Sequence, residues 1–295
     1  WPSSPWSTMP SASDALTPER PPAGTVAAPR GASVATGEPL IRIEELTIAY
    51  GSFVLMHDIN CVINKGDVFV IMGGSGCGKS TVLKCLIGLK RPATGRVLYD
   101  GESFWDESTD QRERRMQRFG ILYQSSALFS SMTLAENIGL PLQLYTPLTG
   151  SQIREVASLK LALVGLKGFE DYYPNEISGG MQKRAGLARA MALDPDILFF
   201  DEPSAGLDPI SSRLLDDLII ELRDSLGTTI VVVTHELASI FTIGDNCVFL
   251  DPETKTMITT GNPRELRDAS PDERVRNFLL RGELTTHEQQ GDRST

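Results

Sequence analysis

A glycine-rich segment that ends in lysine and serine is the part of the sequence best suited to bind phosphate. Residues 73–80 fit the pattern G-x-x-x-x-G-K-[ST], with the apolar run of residues 68–72 before them and a helical stretch after them. Glycines let main-chain N–H groups converge on phosphate oxygens. We predict that Lys79 neutralises the β- and γ-phosphates of ATP and that Ser80 binds Mg²⁺. The predicted phosphate site comprises Gly73, Gly74, Ser75, Gly76, Cys77, Gly78, Lys79, Ser80 and Thr81.

Two adjacent carboxylates follow a second apolar run, residues 197–200. At the end of a buried strand they would lie at the same sheet edge as the phosphate loop. We expect Asp201 to hold Mg²⁺ through water and Glu202 to act as general base on the attacking water. Pro203 alone would also explain this sequence as a simple strand end, but the phosphate loop upstream favours the catalytic interpretation.

His235 follows a third apolar run, residues 229–233, and Thr234. A single histidine is more often structural than catalytic. Its position at the carboxyl end of a predicted buried strand favours a hydrogen bond to the γ-phosphate.

The elements that must position these residues are apolar strands alternating with helical stretches. Runs that are apolar throughout are typical of parallel strands covered on both faces. Their alternation with helices predicts an α/β fold with a mostly parallel sheet.

The net charge and the length of the apolar runs argue against two classes of protein. The 295 residues carry a net charge of −10, which argues against a protein that binds nucleic acid through a broad basic surface. The apolar runs fall short of the roughly 20 residues that a membrane-spanning helix needs. We predict a disordered, proline-rich segment over residues 1–38, one ATPase domain over 39–270 and a C-terminal tail over 271–295.

The motif order resembles that of the ABC transporter ATPases over residues 40–265. The decisive element is Ser178-Gly179-Gly180 at the start of a helix, followed by Met181-Gln182. The resemblance implies a P-loop NTPase (RecA-like) core, an ABC-type β subdomain and an inserted helical subdomain at about residues 125–184.

The resemblance also implies a homodimer that binds ATP between its two copies. Ser178, Gly179 and Gly180 of one copy would close over ATP held by the phosphate loop of the other, and Asp208 would cross that interface. Tyr50 would stack on adenine, and Gln124 would sense the γ-phosphate and the metal. The implied catalytic residues are Lys79, Gln124, Glu202 and His235, and the implied metal ligands are Ser80, Gln124 and Asp201.

Met181 stands where most of the family has glutamine, and this departure resembles the MCE-type, or Mla, group of phospholipid-trafficking ATPases. That resemblance implies a peripheral protein at the cytoplasmic face of the inner membrane, with transmembrane permease subunits as partners. It also implies a substrate-binding MCE protein and a small regulatory subunit. No nucleic acid partner is expected.

Other functions use the same catalytic residues. An importer of an amino acid or phosphate would differ only in its membrane partners. The acidic charge and the single cassette argue against a soluble ABC ATPase of DNA repair or translation. The presence of Glu202 argues against a nucleotide-dependent switch that binds ATP without turnover.

Four apolar residues either contact the permease or belong to the core: Leu128, Phe129, Met132 and Leu134.

Overall fold

The structure, a computed structural model, describes residues 37–281. The predicted disordered segment lies outside this range except for its last two residues, and so does the part of the predicted C-terminal tail from residue 282 onward. The strands are β1 (Pro39–Tyr50), β2 (Phe53–Asn64), β3 (Val68–Gly73), β4 (Thr94–Tyr99), β5 (Glu102–Ser103), β6 (Phe119–Leu122), β7 (Ile197–Asp201), β8 (Thr229–Val233), β9 (Asn246–Asp251) and β10 (Thr256–Gly261).

The helices lie between and after these strands. They are α1 (Lys79–Leu86), α2 (Thr109–Met116), α3 (Leu134–Tyr145), α4 (Gly150–Leu163), α5 (Gly179–Ala190), α6 (Pro209–Leu226), α7 (Leu237–Ile243) and α8 (Pro263–Ala269), with a short 3₁₀ helix at Pro174–Glu176. Residues 273–281 form a further helix, α9.

A six-stranded sheet in the order β10-β9-β3-β8-β7-β6 carries the predicted strands. All its neighbouring pairs are parallel except β10 with β9. Every residue of β3 and β8 is buried, because helices and the second sheet cover both faces. The predicted α/β fold with a mostly parallel sheet is confirmed.

A second sheet, in the order β2-β1-β4-β5, is antiparallel throughout. It packs against the first sheet and α1, with Ile43, Ile59, Phe69 and Leu83 in one apolar cluster. This small antiparallel sheet corresponds to the expected β subdomain. The two sheets together hold the start of α1, and therefore the end of the phosphate loop, in a fixed position.

Residues 123–196, all of which the structure describes, form helices and turns without a strand. The predicted helical subdomain falls on α3, α4 and α5, and α5 continues to Ala190. Leu134 has no exposed surface, because it packs with Ile138 and Leu161 in a second apolar cluster. It is therefore a core residue and does not offer a docking surface, whereas Phe129 is 50% exposed.

The helix α9 packs on the main sheet. Its Val275 and Leu279 are buried in a third cluster that includes Val70 and Met72 of β3. Part of the predicted tail thus belongs to the folded core. Within residues 37–281, none of the helices combines the length and the apolar character required to span a bilayer.

Candidate functional site

The phosphate loop connects β3 to α1 with little space around its first glycine. Gly73 has φ of 149°, and a Cβ there would lie 2.3 Å from the main-chain oxygen of Leu250. Glycine is therefore required at this position. The loop ends where α1 begins at Lys79, so the positive end of the helix dipole lies at the loop.

Lys79 is buried against the loop that precedes it. Its Nζ donates to the main-chain oxygens of Gly73 and Gly74, each at 3.0 Å. These contacts hold the ammonium where phosphates would meet the loop amides. Cys77 packs into the apolar cluster below the loop, and burial raises the pKa of its thiol. Cys77 can therefore contribute main-chain groups to the site, but not its side chain.

Ser80 and Asp201 meet across 121 residues of sequence. The Ser80 hydroxyl donates to Asp201 Oδ1 at 2.8 Å. A hydroxyl and a carboxylate are hard oxygen ligands of the kind that Mg²⁺ prefers, and Gln124 lines the same cleft as Ser80. No group of three His, Cys, Asp or Glu side chains within residues 37–281 could bind a metal by itself. The Ser80 hydroxyl and the Asp201 carboxylate are donors of the kind that hold Mg²⁺ together with substrate phosphates.

Glu202 and His235 form a second pair at the same sheet edge. His235 Nδ1 lies 2.9 Å from Oε1 and 3.0 Å from Oε2 of Glu202. With Glu202 ionised, the Nδ1–H of His235 is the donor. The carboxylate is thereby held at the carboxyl ends of β7 and β8, which are neighbouring strands. A carboxylate fixed in this way can accept a proton from a water molecule in the cleft.

One cleft of about 640 Å³ lies beside these residues. Cys77 and Asp201 do not line it, and Asp201 is joined to it through the hydrogen bond from Ser80. Predicted and unpredicted residues contribute to it: Leu55, Gly73, Gly74, Ser75, Gly76, Gly78, Lys79, Ser80, Thr81, Gln124, Glu202, His235, Leu237, Phe278 and Arg281. The cleft thus combines a cradle for anions, a candidate metal site and a candidate base.

Comparison with known proteins agrees with this arrangement. The profile of the family described as "ABC transporter" matches residues 56–205. The chain belongs to the ABC transporter family. The predicted family is confirmed.

Curated members of the family resemble the chain closely. The "Probable ribonucleotide transport ATP-binding protein mkl" of Mycobacterium tuberculosis is 42% identical over 239 residues, which cover 81% of this chain and 66% of that protein. The chain thus spans just under two thirds of that relative. The "Intermembrane phospholipid transport system ATP-binding protein MlaF" of Escherichia coli is 38% identical over 240 residues, covering 81% of this chain and 88% of that protein.

Solved ABC cassettes share the fold. The "Dimeric structure of a post-hydrolysis state of the ATP-binding cassette MJ0796 bound to ADP and Pi" superposes with a TM-score of 0.69 at 28% identity, covering 76% of this chain and 98% of that one. The structure of cbiO1 from Clostridium perfringens gives a TM-score of 0.73 at 28% identity, covering 86% and 99%.

The ABC signature segment lies away from the cleft of its own chain. Ser178 caps α5 by accepting a hydrogen bond from the Met181 N–H at 3.2 Å. Ser178 and Gly179 are exposed, and neither they nor Gly180 line the cleft. One copy of this ABC cassette therefore presents a helix start with main-chain donors that its own phosphate loop does not use.

Two other residues implied by the ABC resemblance also lie outside the cleft lining. Asp208 caps α6, because its Oδ1 accepts from the N–H groups of Ile210 and Ser211 at 3.0 Å each. These bonds, with one from the Ser211 hydroxyl, hold the pKa of Asp208 below its usual value. Tyr50 is 54% exposed at the tip of the β1–β2 hairpin, with Lys90 Nζ 3.8 Å from its ring centroid.

Sequence reasoning missed four residues that line the cleft, Leu55, Leu237, Phe278 and Arg281, and one residue beside it, Lys183. Phe278 and Arg281 reach it from α9, and the helical spacing of Val275, Phe278 and Leu279 could have revealed that helix. Lys183 is buried beside the loop that carries Gln124. Lys183 precedes the buried Leu187 by four residues, so both lie on the inner face of α5. This helical spacing could have predicted from the sequence that Lys183 is buried.

Proposed function

We propose that the chain binds and hydrolyses ATP. The observation that carries this proposal is the meeting of the phosphate loop with three side chains at one sheet edge: Asp201, Glu202 and His235. A glycine-rich turn alone could be a matter of tight geometry. A lysine, a hydroxyl–carboxylate pair and a fixed carboxylate beside the same cleft are the groups of one copy that would bind phosphate, hold the metal and accept the proton in phosphoryl transfer to water.

In this proposal the loop amides and Lys79 bind the β- and γ-phosphates. Ser80, Asp201 and Gln124 are the residues that would hold Mg²⁺, which neutralises charge on the phosphate oxygens when bound. Tyr50 stacks on the adenine ring. The Lys79 ammonium exchanges its bonds with the loop carbonyls for bonds with phosphate oxygens, which carry full negative charge.

Hydrolysis then needs a water molecule placed in line with the γ-phosphorus. Glu202 accepts a proton from this water as its oxygen bonds to the γ-phosphorus, and the bond to the β–γ bridging oxygen breaks. The products are ADP and inorganic phosphate. His235 keeps the Glu202 carboxylate in place and approaches the γ-phosphate from the neighbouring strand.

We further propose that two copies of the chain form the complete site. The exposed Ser178 and Gly179 offer main-chain donors and the positive end of the α5 dipole to an anion. Without a lysine, such a helix start binds phosphate weakly. Placed over ATP in the cleft of a second copy, it adds donors to the γ-phosphate, so ATP binding holds the copies together and hydrolysis releases them. Asp208 would lie at this interface.

The transport function that we propose is phospholipid movement between the membranes of a cell envelope. Escherichia coli MlaF is named for intermembrane phospholipid transport, and Met181 is the residue through which the signature of this chain resembles that group. The chain would act at the cytoplasmic face of the inner membrane. Its partners would be transmembrane permease subunits, an MCE protein and a small regulatory subunit, with exposed Phe129 contacting the permease.

Ribonucleotide transport is a second candidate. The mycobacterial relative named for it is 42% identical, slightly more than MlaF. The catalytic residues cannot discriminate between the two cargoes, since both functions use ATP in the same way.

One experiment on the chain purified with its membrane partners separates these proposals. Reconstituted complexes should transfer labelled phospholipid only when ATP is added, whereas complexes with Lys79→Ala should show weaker ATP binding and no transfer. ATP-dependent uptake of labelled ribonucleotide without lipid transfer would favour the second candidate. Absence of ATP turnover in the wild-type complex would overturn the proposed hydrolysis itself.

A further inference from the structure

Lys183 is a buried cation that the proposed mechanism does not use. Its side chain is on the inner face of α5, and the residue is only 5% exposed. Its Nζ donates to the main-chain oxygen of Gln124. Burial lowers the pKa of Lys183, while the carboxylates of Asp201 and Glu202 act in the opposite direction. The Lys183 ammonium thus interacts electrostatically with the carboxylates of both Asp201 and Glu202.

A second cation of the same helix binds the same loop. Arg189 donates from Nη1 to the oxygen of Ala127 at 2.7 Å and from Nη2 to the oxygen of Ser126 at 3.0 Å. Lys183 and Arg189 together therefore bind three main-chain oxygens of residues 124–127. We call this segment the glutamine loop.

The glutamine loop needs such contacts, because its backbone is strained. Ser126 and Ala127 have φ of 61° and 50°, in the left-handed region that side chains other than glycine rarely adopt. Two consecutive residues in this region persist only when their surroundings fix them. Part of that constraint comes from the bonds with α5.

Helix α5 packs closely against the glutamine loop at Gly186. A Cβ on Gly186 would lie 2.9 Å from Leu122 Cδ1 and 3.2 Å from the main-chain oxygen of Ser126. The helix that presents Ser178 at its start thus packs directly against the loop that presents Gln124 to the cleft. A shift of one must move the other.

We propose that Lys183 is a positioning residue for ATP hydrolysis, acting by fixing the main chain of Gln124 relative to α5. This inference rests on the proposed ATPase function. Removal of the ammonium leaves the Gln124 carbonyl without its donor and lets the Gln124 side chain drift from the Ser80–Asp201 pair. ATP binding depends mainly on the phosphate loop and should change little, whereas the chemical step should slow.

The test compares two loss variants, one conservative variant and one matched control. Lys183→Met and Lys183→Gln remove the ammonium, and Lys183→Arg keeps a cation that can donate to the loop. Arg184→Met is the control, because Arg184 is the next residue of α5 but donates to the oxygens of Val164 and Gly165. Each variant is assayed for ATPase kcat and KM and for amide hydrogen exchange over residues 122–130.

In both loss variants we expect kcat to fall by about tenfold to a hundredfold with the KM for ATP within about twofold. Exchange over residues 122–130 should rise, while exchange in β3 and β8 stays unchanged. Lys183→Arg should recover most of kcat, and Arg184→Met should match the wild type in both measurements.

A normal kcat in a folded loss variant, or unchanged exchange in the glutamine loop, would overturn the proposal. If Lys183→Met fails to fold, Lys183→Gln provides the same comparison. Absence of turnover in the wild type would contradict the ATPase function instead, and the exchange measurement would still decide whether Lys183 fixes the loop.

Discussion

Glu202 combines a strained backbone with a side chain fixed by a neighbour. Its φ of 48° lies in the left-handed region, at a cost of about 1–3 kcal/mol that the surrounding structure must offset. Its N–H donates to the Val233 oxygen at 2.9 Å, and its carboxylate accepts from His235. Both contacts come from β8 and the residues after it, so the sheet holds the proposed base at the cleft.

Replacement of Glu202 by glutamine should separate binding from hydrolysis. Glutamine keeps the shape and can accept from His235, but it cannot take a proton from water. We expect Glu202→Gln to bind ATP, to accumulate as an ATP-bound dimer and to lose turnover by a factor of about 10² to 10⁴. Size-exclusion chromatography with ATP and a phosphate-release assay measure the two effects.

Glu236→Gln is a suitable control for this variant. Glu236 is an exposed carboxylate whose Oε1 lies 3.9 Å from the other ring nitrogen of His235. Its replacement should leave turnover within about twofold of the wild type, since it does not line the cleft. Normal hydrolysis by Glu202→Gln would show that another group is the base.

At the residue scale, much of the site can be predicted from the sequence, because its residues follow buried strands. Ser80 and Asp201 meet as expected for groups at the carboxyl edge of one parallel sheet. Lys183 could not be assigned in the same way. Lysine is seldom buried, and its partner is a main-chain oxygen 59 residues away that no sequence pattern marks.

At the scale of elements, α6 and α7 are joined by a buried polar contact. Asp216 of α6 is 5% exposed and accepts a hydrogen bond from the Ser239 hydroxyl of α7 at 2.8 Å. These helices begin just after Asp208 and His235, two of the predicted site residues. The contact therefore links the elements that follow two loops of the site.

The burial of Asp216 makes the stability of the protein depend on pH. Burial raises the pKa of Asp216 from its usual 3.8 to about 6, with the Asp217 carboxylate adding to the effect and the Ser239 hydroxyl and Arg213 opposing it. The folded state thus binds the proton more tightly than the unfolded state. Proton binding by Asp216 therefore stabilises the folded state fully below about pH 4, and this stabilisation is lost as the pH rises through about 6.

Asp216→Asn should therefore stabilise the protein above pH 6 by at most about 3 kcal/mol, since asparagine stays neutral and still accepts from Ser239. The gain should vanish towards pH 4. Urea unfolding at several pH values measures this, and Asp217→Asn, at an exposed site on the same helix, should show no comparable gain. A destabilised Asp216→Asn at pH 7.5 would contradict the account.

The helices and strands that are easiest to predict from the sequence are those that are buried on all sides. The strands β3, β7 and β8 each contain a run of at least four consecutive apolar residues, so their length and composition reveal them. The four-residue β6 is too short to show periodicity. Helix α9 is short and follows the predicted end of the domain, so residues 271–281 were predicted to be a tail although Val275 and Leu279 are core residues.

At the scale of the whole molecule, the two elements that we propose to bind phosphate have different surroundings. The phosphate loop lines the cleft, whereas the start of α5 is exposed and does not line it. Ser178 at that start is exposed, and its hydroxyl accepts from the Met181 N–H of its own helix. A second copy is the simplest source of the missing donors.

The most direct test of this requirement is the ATPase rate per chain as a function of chain concentration. Light scattering on the same samples, with saturating ATP and Mg²⁺, gives the fraction of dimer. We predict that the rate per chain rises in proportion to the dimer fraction and approaches zero where only monomer is present. A rate per chain that stays constant down to fully monomeric samples would contradict the account.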